Sequence, residues 1–192
     1  MANVEKLVPF LIQFEASTYP VPGLNTAQLF ERARRTGFAN DPADLGGATM
    51  IGVTLATFME FCRRAGRRQP TVTDLRNISY TDWLSILKTQ YWDSWQADKI
   101  ESQSVAEMLV DFVWCSGKCG ITVPQQAMGV AADGIVGPLT LTAVNSRNPR
   151  ELFEALRSAR IAYINRICSK RPANNKFKKG WLRRINSLEF KS

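Results

Sequence analysis

Four side chains suited to hydrolysis lie in two short segments near the start of the chain. Glu15 follows a stripe of apolar residues, and the turn-rich segment 37–54, GFANDPADLGGATMIGVT, holds Asp41, Asp44 and Thr49. A carboxyl group held against apolar side chains has a raised pKa and keeps its proton, whereas one in a solvated loop stays ionised. A proton donor facing a charged carboxylate is the arrangement that hydrolyses a bond between two sugars. We therefore interpret Glu15 as the general acid and Asp44, ahead of Asp41, as the second carboxylate.

Each of these residues also has a structural explanation. Glu15 can lie at a frayed helix end and point to water, and an aspartate beside proline or glycine commonly braces a turn. Thr49 can orient a water molecule or simply bond to the backbone. Asp111, in the apolar run MLVDFVW, is interpreted as a buried structural acceptor rather than a catalyst. Spacing alone leaves both interpretations open for Glu15 and for the residues of the loop.

Aromatic residues cluster in segment 91–95, which reads YWDSW. Aromatic faces stack well on sugar rings, so Tyr91, Trp92 and Trp95 are candidate substrate-binding residues, together with Asp41 of the loop. The alternative is that the tryptophans belong to the core beside a helix end.

Helices are the elements that must position these side chains. Apolar residues recur at helical spacing from Val4 to Ile12, and Glu15 continues that stripe. Pro9 either starts this helix late or kinks it. One short, turn-rich hairpin is expected near residues 46–53, and no other strand is predicted.

Capping residues predict where the later helices begin. A side-chain oxygen at the first position bonds an otherwise unpaired backbone N–H, and proline suits the first turn. The predicted starts are at Asn25 or Thr26, Thr54, Ser79, Ser104, Pro138 and Asn148. The sequence therefore predicts a mainly α-helical protein of one or two domains.

The amino-acid composition excludes some kinds of catalytic site and limits the kinds of binding partner. The 192 residues include no histidine, which excludes histidine-based triads and argues against a zinc hydrolase, and no metal or cofactor is predicted. The four cysteines form no Cys-x-x-Cys pair and are expected to be buried free thiols in a reducing compartment, unless export allows disulfides. The net charge of +8 favours a polyanionic partner, whether nucleic acid, anionic lipid or cell wall.

The beginning of the chain lacks a signal-peptide pattern, and no apolar run is long enough to span a bilayer. We expect synthesis in the cytoplasm without a recognisable signal peptide, with action in the periplasm or cell wall. The oligomeric state is not predicted.

Several ordered segments match the pattern of a known family. They are 8–15 VPFLIQFE, 38–49 FANDPADLGGAT, 52–54 GVT, 91–98 YWDSWQAD and 103–106 QSVA. In these segments the chain resembles the bacterial and phage N-acetylmuramidases of glycoside hydrolase family 108, often labelled secretion activator proteins. The likeness covers nearly the whole chain.

The C-terminal part is similar to the predicted peptidoglycan-binding module that accompanies this family. Residues 133–140, DGIVGPLT, carry its Asp-Gly-x-x-Gly-Pro-x-Thr signature. Its closing segment matches at Phe177, Gly180, Trp181 and Arg184. The resemblance implies a lysozyme-like helical globule, with residues 1–100 as the catalytic segment and residues 101–192 as a peptidoglycan-binding-like segment packed on it.

The chain departs from the family pattern near the proposed site. The family runs straight from its glutamate into the loop, whereas residues 16–36 are interposed here. That segment contains Glu31, a competing acid, although the preceding helix favours Glu15. Met50 replaces an asparagine, and Leu45 stands where proline is common.

The resemblance implies hydrolysis of the β-1,4 bond between N-acetylmuramic acid and N-acetylglucosamine, with glycan strands as partner and no cofactor. The first alternative is a non-catalytic peptidoglycan-binding or secretion-related protein on the same scaffold. The second is binding of nucleic acid by the arginine-rich surface, which is not expected because no known reading motif accompanies the charge.

Overall fold

The computed structural model describes residues 1–40 and 47–191, and within these ranges the chain is mainly α-helical. The loop residues 41–46, which include the candidate carboxylates Asp41 and Asp44, lie outside the described residues. Two compact units are present: Val4–Gln90 forms one, and Met1–Asn3 with Tyr91–Ser192 forms the other.

The unit Val4–Gln90 contains five α-helices among its described residues. They are α1 (Val8–Ala16), α2 (Thr26–Ala33), α3 (Leu55–Arg64), α4 (Val72–Arg76) and α5 (Tyr80–Ile86). Val4–Lys6 forms a short 3-10 turn before α1. Pro9 lies in the first turn of α1, so it starts the helix late rather than kinking it.

Predicted caps hold several of these helices. The side chain of Asn25 accepts from the N–H of Gln28, whose side chain bonds back to the N–H of Asn25. Thr54 caps α3 by accepting from Thr57 N–H, and Ser79 caps α5 by accepting from Asp82 N–H. Each bond pairs a backbone donor that the helix itself cannot satisfy.

A small antiparallel sheet accompanies the helices. Its strands are β1 (Phe38–Ala39), β2 (Thr49–Met50) and β3 (Val53–Thr54), in the order β1-β2-β3. The predicted hairpin is confirmed as β2 and β3, whereas the pairing of β1 was not predicted. Thr49 pairs with Ala39 on one side and with Thr54 on the other.

The unit containing Tyr91–Ser192 also has five α-helices among its described residues. They are α6 (Gln103–Ser116), α7 (Cys119–Ala127), α8 (Pro138–Asn145), α9 (Pro149–Lys170) and α10 (Asn175–Asn186). The residues from Leu87 to Trp92 are π-helical, and 3-10 turns follow at Asp93–Trp95 and Ala97–Lys99. Helix α9 is central, because it packs against α6, α7, α8 and α10.

Ser104 was wrongly predicted to begin a helix. Ser102 is the N-cap of α6, accepting from Val105 N–H, and Ser104 is buried inside the helix. Its hydroxyl donates to the carbonyl of Lys191 and accepts from the Lys191 N–H. A tertiary contact therefore satisfies the hydroxyl that was assigned to a local cap.

The 133–140 signature has a structural role in this unit. Gln125 is fully buried, and its amide donates to Asp133 Oδ1 while its carbonyl oxygen accepts from Gly134 N–H. Gly134 has a φ of 79°, which glycine adopts without strain. Pro138 then starts α8 as predicted. The signature thus ties the turn before α8 to a buried amide of α7.

Asp111 is a buried acceptor, as predicted. It has no exposed surface, and its two carboxylate oxygens bind two guanidinium groups from different helices. Arg160 Nη2 lies 2.6 Å from Oδ2, and Arg184 Nη2 lies 2.8 Å from Oδ1. The ion cluster therefore joins α6, α9 and α10.

None of the four cysteines forms a disulfide, but their burial differs. Cys62 and Cys168 are buried, Cys119 is partly buried and Cys115 is exposed.

Candidate active site

Glu15 lies in the last turn of α1 and is partly buried. The buried face of this helix is formed by Val8, Leu11, Ile12 and Ala16. Ser17 ends the helix with a left-handed backbone, φ 50°. Glu15 is therefore held at the edge of an apolar face, on an element whose end is defined.

The inserted residues 16–36 leave the end of α1 and return to it. Thr36 Oγ1 donates to the carbonyl of Ala16 at 2.7 Å, and Thr18 Oγ1 donates to the same oxygen at 3.1 Å. The middle of the segment forms α2, which packs against α1. The two ends of the insertion therefore lie next to each other at the end of α1.

Gly37 brings the hairpin against the end of α1. A Cβ at Gly37 would lie 2.5 Å from Ile51 Cγ1 and 3.3 Å from the Cβ of Ala16, so only glycine allows this approach. The N–H of Ile51 also donates to the carbonyl of Gly37 at 2.7 Å. The neighbour of Glu15 and the turn after β2 therefore meet at one glycine.

The turn between β2 and β3 is anchored from α5. Ile51 and Gly52 have φ values of 46° and 76°, and the carbonyl of Ile51 accepts from Trp83 Nε1 at 2.9 Å. Both Ile51 and Trp83 are fully buried. Gly37 and Trp83 position the hairpin, but the sequence patterns did not point to them, because their partners are distant along the chain.

Thr49 and Met50 lie side by side on β2 and face different surroundings. Thr49 is partly buried, whereas Met50 is only 1% exposed. Met50 therefore occupies the core. Glu31 lies on α2, is exposed and forms an ion pair with Arg34 at 2.8 Å. Asp41 and Asp44 lie outside the described residues.

The three candidate aromatic residues lie in the other compact unit and differ in burial. Trp92 and Trp95 have no exposed surface. Their Nε1 atoms donate to Asp98 Oδ1 at 2.7 Å and to the carbonyl of Gly120 at 3.2 Å. Tyr91 is partly buried, with its ring 4.6 Å from that of Trp114. The burial of the tryptophans fits the alternative interpretation that they belong to the core.

Within residues 1–40 and 47–191, no three side chains of metal-ligating type lie close enough together to hold a metal ion. No helix in the same ranges is both long and apolar enough to cross a membrane.

Two known family models together match most of the chain. Residues 32–117 match the family model described as Glycosyl hydrolase 108. This segment is similar to glycosyl hydrolase 108 domains. Residues 119–186 match a second model, described as Predicted Peptidoglycan domain. The segment matched by the first model includes Thr49 and the loop carboxylates, and it begins after Glu15.

A solved structure is similar to this chain over most of its length. It is the structure of Brucella abortus SagA, which is 27% identical, covers 83% of this chain and 90% of its own, and has a TM-score of 0.67. None of the curated proteins matches the chain. The mainly α-helical, lysozyme-like fold class is confirmed.

The two domains define the general activity. The match to the glycosyl hydrolase 108 model supports a glycoside hydrolase, and the match to the predicted peptidoglycan model indicates peptidoglycan as its partner. The pair of domains supports peptidoglycan hydrolysis, with action at the cell wall or in the periplasm.

Proposed function

We propose that this glycoside hydrolase is a lysozyme-like N-acetylmuramidase, which cleaves the β-1,4 bond between N-acetylmuramic acid and N-acetylglucosamine. The observation that supports it most is the junction of Ala16, Gly37 and Ile51. This junction brings the helix end that carries Glu15 to the hairpin that carries Thr49, although residues 16–36 intervene.

Glu15 is proposed as the general acid. It lies at the edge of the apolar face of α1, and it gives its proton to the leaving glycosidic oxygen. The competing acid, Glu31, is exposed and bound to Arg34, which favours a role in holding α2.

Asp44, ahead of Asp41, is proposed as the second carboxylate, and Thr49 is proposed to orient a water molecule. The separation of the two carboxyl groups decides the stereochemical outcome. A distance of about 5–5.5 Å gives retention, and about 6.5–9.5 Å gives inversion.

We further propose that residues 1–100 are the catalytic segment and residues 101–192 the peptidoglycan-binding segment. Within the catalytic segment, Tyr91 is the aromatic residue proposed to contact a sugar ring, since it is only partly buried. Trp92 and Trp95 are proposed to support that segment from the core, because their rings are enclosed.

The alternative is a protein that binds peptidoglycan without cleaving it. The insertion and the replacement of a polar residue by Met50 favour this alternative. The closed ends of the insertion and the burial of Met50 weigh against it, because the insertion returns to the end of α1 and Met50 lies in the core.

Release of soluble muropeptides from purified sacculi tests the proposal. We expect release by the unaltered protein and a loss of about 10²–10⁴-fold in Glu15→Gln, because this change removes the proton donor and keeps the shape of the side chain. Glu31→Gln is the matched control and is expected to retain release. Binding to sacculi without any release by the unaltered protein would establish the alternative.

A further inference from the structure

A cavity of about 120 Å³ lies within the unit Tyr91–Ser192, between the end of α6 and helices α9 and α10. Its wall includes Arg160, Arg184 and Tyr163, and none of the residues that form it is acidic. The apolar part of the wall is formed by Ile164, Ile167, Ile185 and Trp181. The cavity therefore combines guanidinium donors with an apolar lining.

Arg160 retains hydrogen-bonding capacity in this wall. It is only 3% exposed, and among the described residues its oxygen partners are both on Asp111. Both are reached from Nη2, while Nη1 contacts the sulfur of Met108 at 3.9 Å. A thioether is a weak acceptor, and a guanidinium group has five N–H donors. Arg160 can therefore donate to a further oxygen acceptor.

A carboxylate is the acceptor that best matches such a group. A carboxylate oxygen accepts from a guanidinium N–H, and the opposite charges strengthen that bond. Burying a guanidinium group with unused donors is unfavourable, so an anionic ligand would relieve this cost.

The size of the cavity limits what can enter with the carboxylate. A cavity of about 150 Å³ holds a benzene molecule, so one of about 120 Å³ admits a carboxylate with only a few further heavy atoms. The isoleucine and tryptophan side chains favour a small apolar group such as a methyl. An alanine end group has both features.

We infer that this cavity binds the terminal carboxylate of an alanine-ended peptide, with the carboxylate on Arg160 and the methyl group against Ile167 and Trp181. The choice of peptide rests on the proposed function, since the stem peptides of peptidoglycan end in D-alanine. The cavity would thus bind the stem peptide of peptidoglycan, whereas the candidate active site cleaves the glycan strand.

Calorimetric titration of the full chain tests the inference with three small probes. They are N-acetyl-D-alanyl-D-alanine, its C-terminal amide and acetate. We expect the dipeptide to bind, and the amide to bind at least tenfold more weakly because it lacks the charge. Acetate is expected to bind more weakly than the dipeptide, because it lacks the rest of the alanine unit.

A cavity-filling variant provides the second arm and leaves Arg160, Arg184 and Asp111 in place. Ile167→Trp adds bulk to the wall and is expected to weaken dipeptide binding at least tenfold. Ala162→Trp, at an exposed position of the same helix and outside the wall, is the matched control and is expected to bind as the unaltered protein does. Thermal unfolding verifies that both variants are folded.

Three results would each overturn the inference: no binding of the dipeptide at millimolar concentration, equal binding of its amide, or undiminished binding by folded Ile167→Trp. Acetate binding as tightly as the dipeptide would also overturn it, since the cavity would then be a general anion site. The dipeptide has no glycosidic bond. A protein that binds it but releases no muropeptides therefore contradicts only the proposed function, and the reverse result contradicts only this inference.

Discussion

Asp111 is a charged residue in an apolar stretch of sequence, and this position indicates a buried ion pair. Burial by itself would raise the pKa of this carboxyl group, but Arg184 and Arg160 together outweigh burial and hold its pKa below the usual value. An isolated aspartate in an apolar run predicted a buried acceptor. Its partners are 49 and 73 positions away, so the run itself could not identify them.

Asp111→Asn is predicted to destabilise the protein strongly. The change leaves two buried guanidinium groups without their carboxylate, and breaking a buried ion pair from one side costs about 3–5 kcal/mol. Urea unfolding measures the loss. Glu154→Gln is the control, because it removes an exposed partner of Arg157 on α9 and should cost about 0–1 kcal/mol. Equal losses in the two variants would contradict the assignment.

The same carboxyl group predicts a dependence of stability on pH. Its pKa is lower in the folded than in the unfolded protein, so its contribution is complete above the unfolded value of about 3.9. The contribution is lost as pH falls from there through the folded pKa. Other carboxyl groups, such as Glu60 beside Arg63 and Arg64, also have lowered pKa values. The difference in unfolding free energy between the unaltered protein and Asp111→Asn isolates Asp111, and it should shrink below about pH 4.

At the scale of elements, the junction of α1, the insertion and the hairpin depends on one glycine. The sequence indicated the helix, its late start, the insertion and the hairpin separately. It did not indicate that Ala16 and Ile51 meet at Gly37, because close packing between elements leaves no periodic signal. The geometry of the candidate site is a property of this contact.

Gly37→Ala is predicted to disturb that junction. The added Cβ would lie 2.5 Å from a fully buried Ile51 side chain and 3.0 Å from the carbonyl of Ala33. Such overpacking costs about 1–3 kcal/mol and should also lower muropeptide release. Gly180→Ala is the control, since nothing lies within 4 Å of its added Cβ, and in the interior of α10 it should stabilise the protein by up to about 1 kcal/mol. Thermal unfolding of both variants compares the two sites.

At the scale of the whole molecule, positive charge is concentrated in one stretch of sequence. Between Glu154 and Glu189 there are ten lysines and arginines and no acidic residue. Arg160 and Arg184 belong to the buried cluster, but Lys176 and Lys179 are exposed. This stretch lies largely within the predicted peptidoglycan domain, residues 119–186. The positive side chains that give the chain its net charge of +8 therefore lie largely where contact with a polyanionic cell wall is expected.

Binding to sacculi is predicted to weaken as salt is raised, because exposed charges are screened over about 10 Å at 0.1 M salt. The double variant Lys176→Glu with Lys179→Glu should bind several-fold more weakly at low salt. Arg32→Glu with Arg35→Glu is the control: it changes the net charge equally but at exposed positions outside the predicted peptidoglycan domain. Sedimentation with sacculi gives both affinities. Equal weakening by the two pairs would show that only total charge matters.

The sequence by itself determined the local features of this protein. Asn25, Thr54, Ser79 and Asn148 cap helices as predicted, and Pro138 starts one, because each effect depends on residues within a single turn. Ser104 was the exception, since a contact with Lys191 took over its hydroxyl.

Only the tertiary structure decided which distant residues meet. The insertion returns to Ala16, and Ile51 bonds to Trp83. Asp111 binds two arginines, and Trp92 and Trp95 are buried. Such pairings depend on how several apolar faces are buried together. The free energy of burial depends on the apolar area removed from water and hardly on the order of residues, so a local sequence pattern does not identify the packing partner.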